Sequence, residues 1–119
     1  MKRLPRTFGC PTELALELLG GKWKTVILAR LKDGPQRYGE LRRGIPRLSD
    51  KMLSQCLEGL RERGLVARES AGDGGARYRL TPVGRSLRAV LQRLYDWGEA
   101  QAGRFGVAFL DQLEQDIEA

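Results

Sequence analysis

The sequence has no histidine among its 119 residues and only two cysteines, Cys10 and Cys56, which 45 residues separate. Without imidazole, His-based acid–base catalysis, the Ser-His triad and most zinc sites are excluded. Two cysteines this far apart form neither a disulfide framework nor a metal cluster. An isolated Cys or Lys nucleophile is the only catalytic option left, and neither has an evident base. We therefore expect a protein that is not an enzyme and that needs no cofactor and no metal.

Long apolar runs are also lacking. None approaches the roughly 20 residues that span a bilayer, and no apolar signal region follows the basic N-terminus. The hydrophobic content of 41% and the charged content of 30% are typical of a folded chain. The length suits a single domain. We expect a cytoplasmic protein that does not bind membranes.

Positive charge is present in excess, and it is unevenly placed. Residues 22–79 hold fourteen basic and seven acidic side chains, whereas residues 94–119 hold one basic and six acidic side chains. This contrast indicates a central surface that faces a polyanion and a tail that has another role. Charge alone does not separate nucleic-acid binding from an ordinary solvated basic surface.

The segment 49–64 has the clearest helical pattern. Leu53, Leu57 and Leu60 recur at i, i+4 and i+7, so they share one face of a helix. Ser49 is a good N-cap, and Gly64 is a good residue just past the C-terminus. The opposite face is polar, and it could lie in a DNA major groove or simply face solvent.

Three shorter helices are predicted ahead of this segment. The first begins at Thr12 as its N-cap, and the second spans about residues 22–32. The third spans residues 38–44 and follows a short stretch of strand at residues 36–38. The third helix and the 49–64 helix are joined by a tight turn, which is a helix-turn-helix pattern.

Two runs with period-2 alternation follow, at residues 65–69 and 77–81, around the turn-rich segment 70–76. A basic β-hairpin directly behind a polar-faced helix is typical of a winged helix. We therefore predict a mainly α fold with a small β-hairpin (α+β), a winged helix-turn-helix with extra N- and C-terminal helices. Its parts are an arm at residues 1–11, a DNA-binding core at 12–81 and dimerisation helices at 82–119.

The C-terminal segment has a long apolar stripe, for which a winged helix of this size has little room. We predict that a partner chain buries this stripe. A helix folded back over its own core is the alternative. The residues predicted to form the dimer contact are Leu91, Leu94, Trp97, Phe109, Leu110, Leu113 and Ile117.

Short motifs follow one another in order from about residue 10 to residue 98. They are Cys10-Pro11, Gly20-Gly21-Lys22-Trp23-Lys24, Tyr38-Gly39-Glu40-Leu41-Arg42-Arg43, Ile45-Pro46, Gly64-Leu65-Val66 and Trp97-Gly98. Together they resemble HxlR-type transcriptional regulators, which are related to MarR-type regulators. The resemblance implies a homodimer, built from N- and C-terminal helices, that binds a palindromic double-stranded DNA operator as a repressor or an activator.

On this interpretation the 49–64 helix reads bases and the surrounding arginines contact phosphates. The residues predicted to read bases are Ser49, Lys51, Met52, Ser54 and Gln55. Those predicted to contact the DNA backbone are Arg37, Arg42, Arg43 and Arg47, and those on the wing are Arg68, Arg77 and Arg79. Lys51 suits guanine and Gln55 suits adenine, while Arg77 is the best candidate for insertion into the minor groove.

Cys10 is the second functional candidate. It directly precedes the first helix, whose N-terminal dipole would favour the thiolate. The family resemblance suggests a thiol switch that responds to quinones, aldehydes or oxidants. The alternative is a small buried residue that seals the start of the helix. Cys56 lies close to the leucine stripe, and we interpret it as an inert core residue.

Two other functions stay open. A winged helix can serve as a protein-interaction module without specific DNA binding, although the excess of positive charge argues against that role. A pocket at the dimer interface, lined by Trp23, Phe105 or Trp97, could also bind a small-molecule effector. No feature of the sequence identifies such an effector.

Overall fold

A computed structural model describes residues 3–110 of the chain. Its elements are α1 (Pro11–Leu19), α2 (Lys22–Leu31), β1 (Gln36–Arg37), α3 (Tyr38–Gly44), α4 (Asp50–Glu62), β2 (Val66–Ser70), β3 (Ala76–Leu80), α5 (Pro82–Arg85), α6 (Arg88–Ala100) and α7 (Ala102–Phe105). The predicted mainly α fold with a small β element is confirmed. The positions of Leu113 and Ile117, predicted to lie in a dimer contact, fall outside the described residues.

Helix α4 forms where the leucine spacing predicts it. The Ser49 hydroxyl accepts a hydrogen bond from the Met52 amide at 3.1 Å, which caps the helix. Leu53, Leu57 and Leu60 are almost completely buried. Gly64 follows the helix with a φ of 75°, a left-handed conformation that glycine adopts without strain.

The sheet has three antiparallel strands in the order β1-β3-β2, so the short stretch at residue 36 is a true third strand. Arg37 pairs with Arg77 across β1 and β3, and Glu69 pairs with Arg77 across β2 and β3. The β2–β3 hairpin is the predicted wing. Strand β2 begins at Val66, one residue later than predicted, because the Leu65 amide donates to the Leu60 carbonyl at the end of α4.

One hydrophobic core joins the helices to the sheet. Helix α2 contributes Ile27, Leu28 and Leu31, and β3 contributes Tyr78 and Leu80, to a cluster that also holds the α4 leucines. Truncating one of these core leucines to alanine would cost roughly 2–5 kcal/mol. This core fixes the positions of α3, α4 and the wing relative to one another. None of the helices in residues 3–110 has the length and apolar content that membrane crossing requires.

The first helix begins earlier than predicted. Its first residue is Pro11 and its N-cap is Cys10, so the prediction of Thr12 as N-cap is wrong. Proline at the first helical position is pre-organised for the helix and has no N–H to leave unpaired. The Glu13 carboxylate accepts hydrogen bonds from the amides of Gly9 and Cys10, which closes the start of the helix.

The C-terminal helical stripe is interrupted. Helix α5 ends at Arg85, and α6 starts at Arg88 after a tight turn. In that turn the amides of Ser86 and Leu87 bond to the carbonyls of Val83 and Gly84, three residues back. Helix α6 packs against α2. Its Leu91 is 1% exposed within the chain's own core, so the prediction that Leu91 contacts a partner chain is wrong.

The wing and the C-terminal helices meet through backbone contacts. The Thr81 amide donates to the Leu65 carbonyl at 3.0 Å, and the Thr81 hydroxyl donates to the Gly64 carbonyl at 2.5 Å. Thr81 also caps α5, as predicted, by accepting from the Gly84 amide at 3.1 Å. A Cβ at Gly84 would collide with the Leu65 carbonyl, so a residue without a side chain is required there.

Candidate nucleic-acid interface

Helix α4 presents a continuous polar surface on the side away from its leucines. Lys51, Met52 and Gln55 are exposed there, within the first two turns of the helix. Glu58, further along, is paired with Arg61 at 3.0 Å. The N-terminal half of α4 therefore carries exposed donors and one apolar side chain, which are the groups that read base edges.

Two of the predicted base-reading residues have structural partners. Ser49 is occupied as the N-cap of α4, and Ser54 Oγ lies 3.2 Å from the Tyr38 hydroxyl. The same Tyr38 hydroxyl donates to the Asp50 carbonyl at 3.1 Å. Ser49 therefore stabilises the start of α4, and Ser54 helps to place α4 against α3. Their predicted base contacts remain predictions.

The arginines of α3 and the following turn differ in their surroundings. Arg42 Nε donates to Asp50 Oδ1 at 3.0 Å, which ties α3 to the first turn of α4. Arg43 and Arg47 are exposed. Within residues 3–110 neither has an ion-pair partner. These two guanidinium groups, at the side of the helix-turn-helix, are available to phosphates without breaking an ion pair to the described residues.

The wing arginines lie in a row of alternating charge. Arg37 in β1 forms a 2.7 Å ion pair with Asp73 at the wing tip. Glu69 lies between Arg77 and Arg79 and pairs with both at 3.1 Å. Because these pairs are exposed, they stabilise the fold only weakly, and a phosphate can replace either carboxylate.

The two carboxylates of this row remain ionised more easily than usual. The hydrogen bond from Arg79, with the contributions of Arg77, lowers the pKa of Glu69. The hydrogen bond from Arg37, aided by the Gly75 amide, lowers the pKa of Asp73. The wing therefore carries two stable negative charges among its cations. Arg68 is exposed on β2 and has no ion pair in the described part of the chain.

Cys10 lies on the surface, so the alternative of a small buried residue is wrong. The amides of Glu13 and Thr12, which point at its sulfur from the first turn of α1, lower the pKa of the Cys10 thiol. Burial instead raises the pKa of the half-buried Cys56 thiol, against the opposing charge of Lys24. The two thiols therefore differ in accessibility and in thiolate content.

No set of three or more Cys, Asp and Glu side chains suited to a metal ion occurs within residues 3–110. Two cavities formed by the described residues are lined by residues other than Trp23, Trp97 and Phe105. The predicted effector pocket would need a second copy of the chain and stays a prediction.

The C-terminal apolar face is formed by Val90, Leu94, Trp97 and Phe105. All four are more than half exposed, and Trp97 is 66% exposed. Leu110 is also exposed, whereas Phe109 is half-buried. A folded chain that left this face in water would expose an unusually large apolar patch.

Sequence patterns missed the residues that hold the interface together. Tyr38, Asp50, Glu69 and Asp73 organise α4 and the wing, but none was a site candidate. Tyr38 could have been identified from its position as the first residue of α3 in the helix-turn-helix. The partners of Glu69 and Asp73 follow from the strand register, which period-2 alternation alone does not supply.

Known proteins resemble this chain in sequence and in fold. A family profile described as HxlR-like helix-turn-helix matches residues 18–105. The HTH-type transcriptional regulator YdeP of Bacillus subtilis (strain 168), whose function is uncharacterised, is 37% identical over 108 residues, covering 89% of this chain and 80% of YdeP. The HTH-type transcriptional regulator YodB of the same organism is 37% identical over 93 residues, covering 76% of this chain and 83% of YodB.

Two solved structures extend the comparison. The redox regulator HypR in its oxidized form has a TM-score of 0.71 and 35% identity, covering 76% of this chain and 96% of that one. Quinone-bound YodB from B. subtilis has a TM-score of 0.63 and 37% identity, covering 76% of this chain and 99% of that one.

Proposed function

The chain belongs to the HxlR-like helix-turn-helix family and is a DNA-binding transcriptional regulator, and we propose that it reads a palindromic operator as a homodimer. The observation that carries this proposal is α4, whose leucine face is buried while Lys51, Met52 and Gln55 are exposed in its first two turns. Such a helix can enter the major groove with its N-terminal residues at the bases.

The remaining cations position the helix on the duplex. Arg43 and Arg47 would contact phosphates directly, whereas Arg37 and Arg42 would exchange the carboxylates of Asp73 and Asp50 for phosphates. Arg68, Arg77 and Arg79 would place the wing along the backbone. These contacts supply affinity and salt dependence, and the exposed side chains of α4 supply sequence preference.

The C-terminal apolar face supports the homodimer. Leu94 and Trp97 project from α6 away from the chain's own core and are 51% and 66% exposed. A second copy that covers this face would remove both side chains from water. A two-fold dimer would present two α4 helices, so its operator would have two related half-sites about one helical turn of DNA apart.

We also propose that Cys10 makes the regulator responsive to oxidants or electrophiles. Its sulfur is exposed, and the amides at the start of α1 lower its pKa. Two similar proteins are named as the redox regulator HypR and as quinone-bound YodB, and these names support the proposal. The regulator would act by binding, without a catalytic step, and would meet its operator in the cytoplasm.

The test is selection of bound DNA from a random pool, followed by binding at two salt concentrations. We expect a symmetric consensus and an affinity that falls steeply with salt. A pool that yields no consensus would support the alternative, a winged helix used for protein interaction. Repeating the binding with diamide on wild type and Cys10→Ser tests the switch, because identical responses would exclude Cys10 as the sensor.

A further inference from the structure

A small cavity lies at the edge of the core, where the end of α2, the end of β3 and the start of α6 meet. Its volume is about 150 Å³, and its apolar walls are Leu31, Pro35 and Leu80. A cavity of this size accommodates a single six-membered ring. It is smaller than the roughly 300–1,000 Å³ of pockets for larger ligands. The cavity therefore suits a small molecule with one apolar part.

Four cations surround these apolar walls, namely Lys32, Arg79, Arg85 and Arg88. Lys32 is already satisfied, because its ammonium group lies 3.0 Å from Asp33 Oδ2 and 5.0 Å from the Tyr95 ring centroid. Arg79 has Glu69 as its partner. Among the described residues, the carboxylates of Asp33 and Glu69 therefore pair with two of the four cations around this cavity.

The two remaining cations have no carboxylate partner among the described residues. Within residues 3–110, Arg85 and Arg88 form no ion pair. Arg85 Nη1 donates to the Leu80 carbonyl at 3.3 Å, and Arg79 Nη1 approaches the same oxygen at 3.5 Å. The guanidinium groups of Arg79 and Arg85 therefore converge on one neutral acceptor, the Leu80 carbonyl. Their mutual repulsion would be relieved by an anion in the cavity.

We propose that this cavity is a binding site for a small carboxylate with an apolar body. Its carboxylate would bind between Arg85 and Arg88, and its ring or short chain would lie against Leu31, Pro35 and Leu80. A guanidinium group binds a carboxylate through two parallel hydrogen bonds, which gives this anion an advantage over chloride.

A ligand bound in the cavity would affect the DNA-binding surface. Arg79 and Leu80 belong to β3 of the wing, and Arg88 is the first residue of α6. The ligand would therefore contact the wing and the dimerisation helix at once. This consequence rests on the proposed function, whereas the site itself does not. A ligand that favours one relative position of the two elements would change operator affinity, by about fivefold for a modest coupling.

Benzoate is the probe, titrated into the full-length protein without DNA at constant ionic strength and followed by calorimetry. We expect saturable binding, and about a tenfold loss of affinity in Arg85→Gln and in Arg88→Gln. The matched control is Arg93→Gln, which removes the same charge from α6 outside the cavity lining. Far-UV circular dichroism verifies that each variant is folded. Benzamide has the same ring without the charge and should bind far more weakly.

Several results would overturn the site. These are no saturable binding of benzoate, equal binding of benzamide, or unchanged affinity in both cavity variants. Inorganic phosphate that binds as tightly as benzoate would instead indicate a phosphate contact and also exclude the carboxylate site. Operator binding with and without benzoate is measured separately. Benzoate binding without any change in operator affinity would support the binding site and exclude its coupling to DNA binding.

Discussion

The hydroxyl groups of Tyr38 and Ser54 lie 3.2 Å apart, and this contact joins the first residue of α3 to the second turn of α4. Tyr38 also holds Asp50, through the carbonyl at 3.1 Å and the carboxylate at 3.2 Å. One phenolic group thereby sets the spacing of the two helices of the helix-turn-helix. Ser54 belongs to this scaffold even if it also contacts DNA.

Tyr38→Phe should therefore weaken operator binding without unfolding the chain. The ring keeps its packing, but the loss of its hydrogen bonds removes roughly 1 kcal/mol of constraint on α4, which corresponds to about a fivefold loss of affinity. Fluorescence anisotropy with the selected operator measures this loss. Tyr95→Phe removes an exposed hydroxyl from α6 and should leave the affinity unchanged; equal effects of the two variants would contradict the positioning role.

Gln55→Ala should reduce binding to the operator much more than binding to unrelated DNA. A bidentate amide contact with adenine contributes roughly 1–3 kcal/mol of discrimination, about fivefold to 150-fold in affinity. Gln92→Ala removes the same side chain from α6, where it donates to Asp96, and should change neither affinity. Parallel losses on both DNAs for Gln55→Ala would exclude it from base reading.

Asp73→Asn should increase affinity for DNA of any sequence. The substitution removes a negative charge from the wing tip and releases Arg37 from its 2.7 Å ion pair. We expect a gain of roughly two- to fivefold at low salt, which fades as salt rises. Asp96→Asn removes the same charge from α6 and serves as the control. A lower affinity of Asp73→Asn would show that the pair orders the wing for binding.

Leu94→Lys should dissociate the homodimer. A lysine in the C-terminal apolar face would place a charge in a dry contact, which a partner chain cannot bury without a counter-charge. Glu99→Lys introduces the same residue about 140° around α6 from Leu94. Analytical ultracentrifugation should find monomer for the first variant and dimer for the second. A dimer that survives Leu94→Lys would place the contact elsewhere.

Cys10 should react with electrophiles at lower pH than Cys56. A lowered pKa means that a thiol loses its proton at lower pH, so at neutral pH Cys10 has the larger thiolate fraction. Cys56 has a raised pKa and is half-buried, and both features slow its reaction. Alkylation by iodoacetamide, followed by mass spectrometry in Cys56→Ser and Cys10→Ser, should differ by about tenfold or more at neutral pH. The reverse order would contradict the assignment.

Local sequence patterns predicted most of the elements but not their connections. The Ser49 cap and the leucines of α4 follow from spacing within one helix, and both were confirmed. The Arg37–Asp73 pair joins residues 36 positions apart. It depends on strand β1, which holds Arg37, lying against β3. Such a contact follows from tertiary packing, which period-2 alternation does not encode.

The errors have similar causes. Leu91 fits the apolar stripe of α6 as well as Leu94 does, but α6 packs against α2 and thereby divides the stripe between the core and the surface. Thr12 was a reasonable cap by residue type, yet Pro11 begins the helix and makes Cys10 the N-cap. The corrected helix boundary strengthens the case for Cys10 as a reactive thiol, because the N-cap position places helix amides near its sulfur.

The close approach of Gly84 to the Leu65 carbonyl has a mechanical consequence. At most protein hinges, side chains of intermediate size can change rotamer and absorb a small displacement. Here main chain lies against main chain, so no rotamer is available to absorb it. A shift of α5 imposed by a dimer partner must therefore be passed to the residue that leads into β2. This contact therefore couples α5 directly to the start of β2.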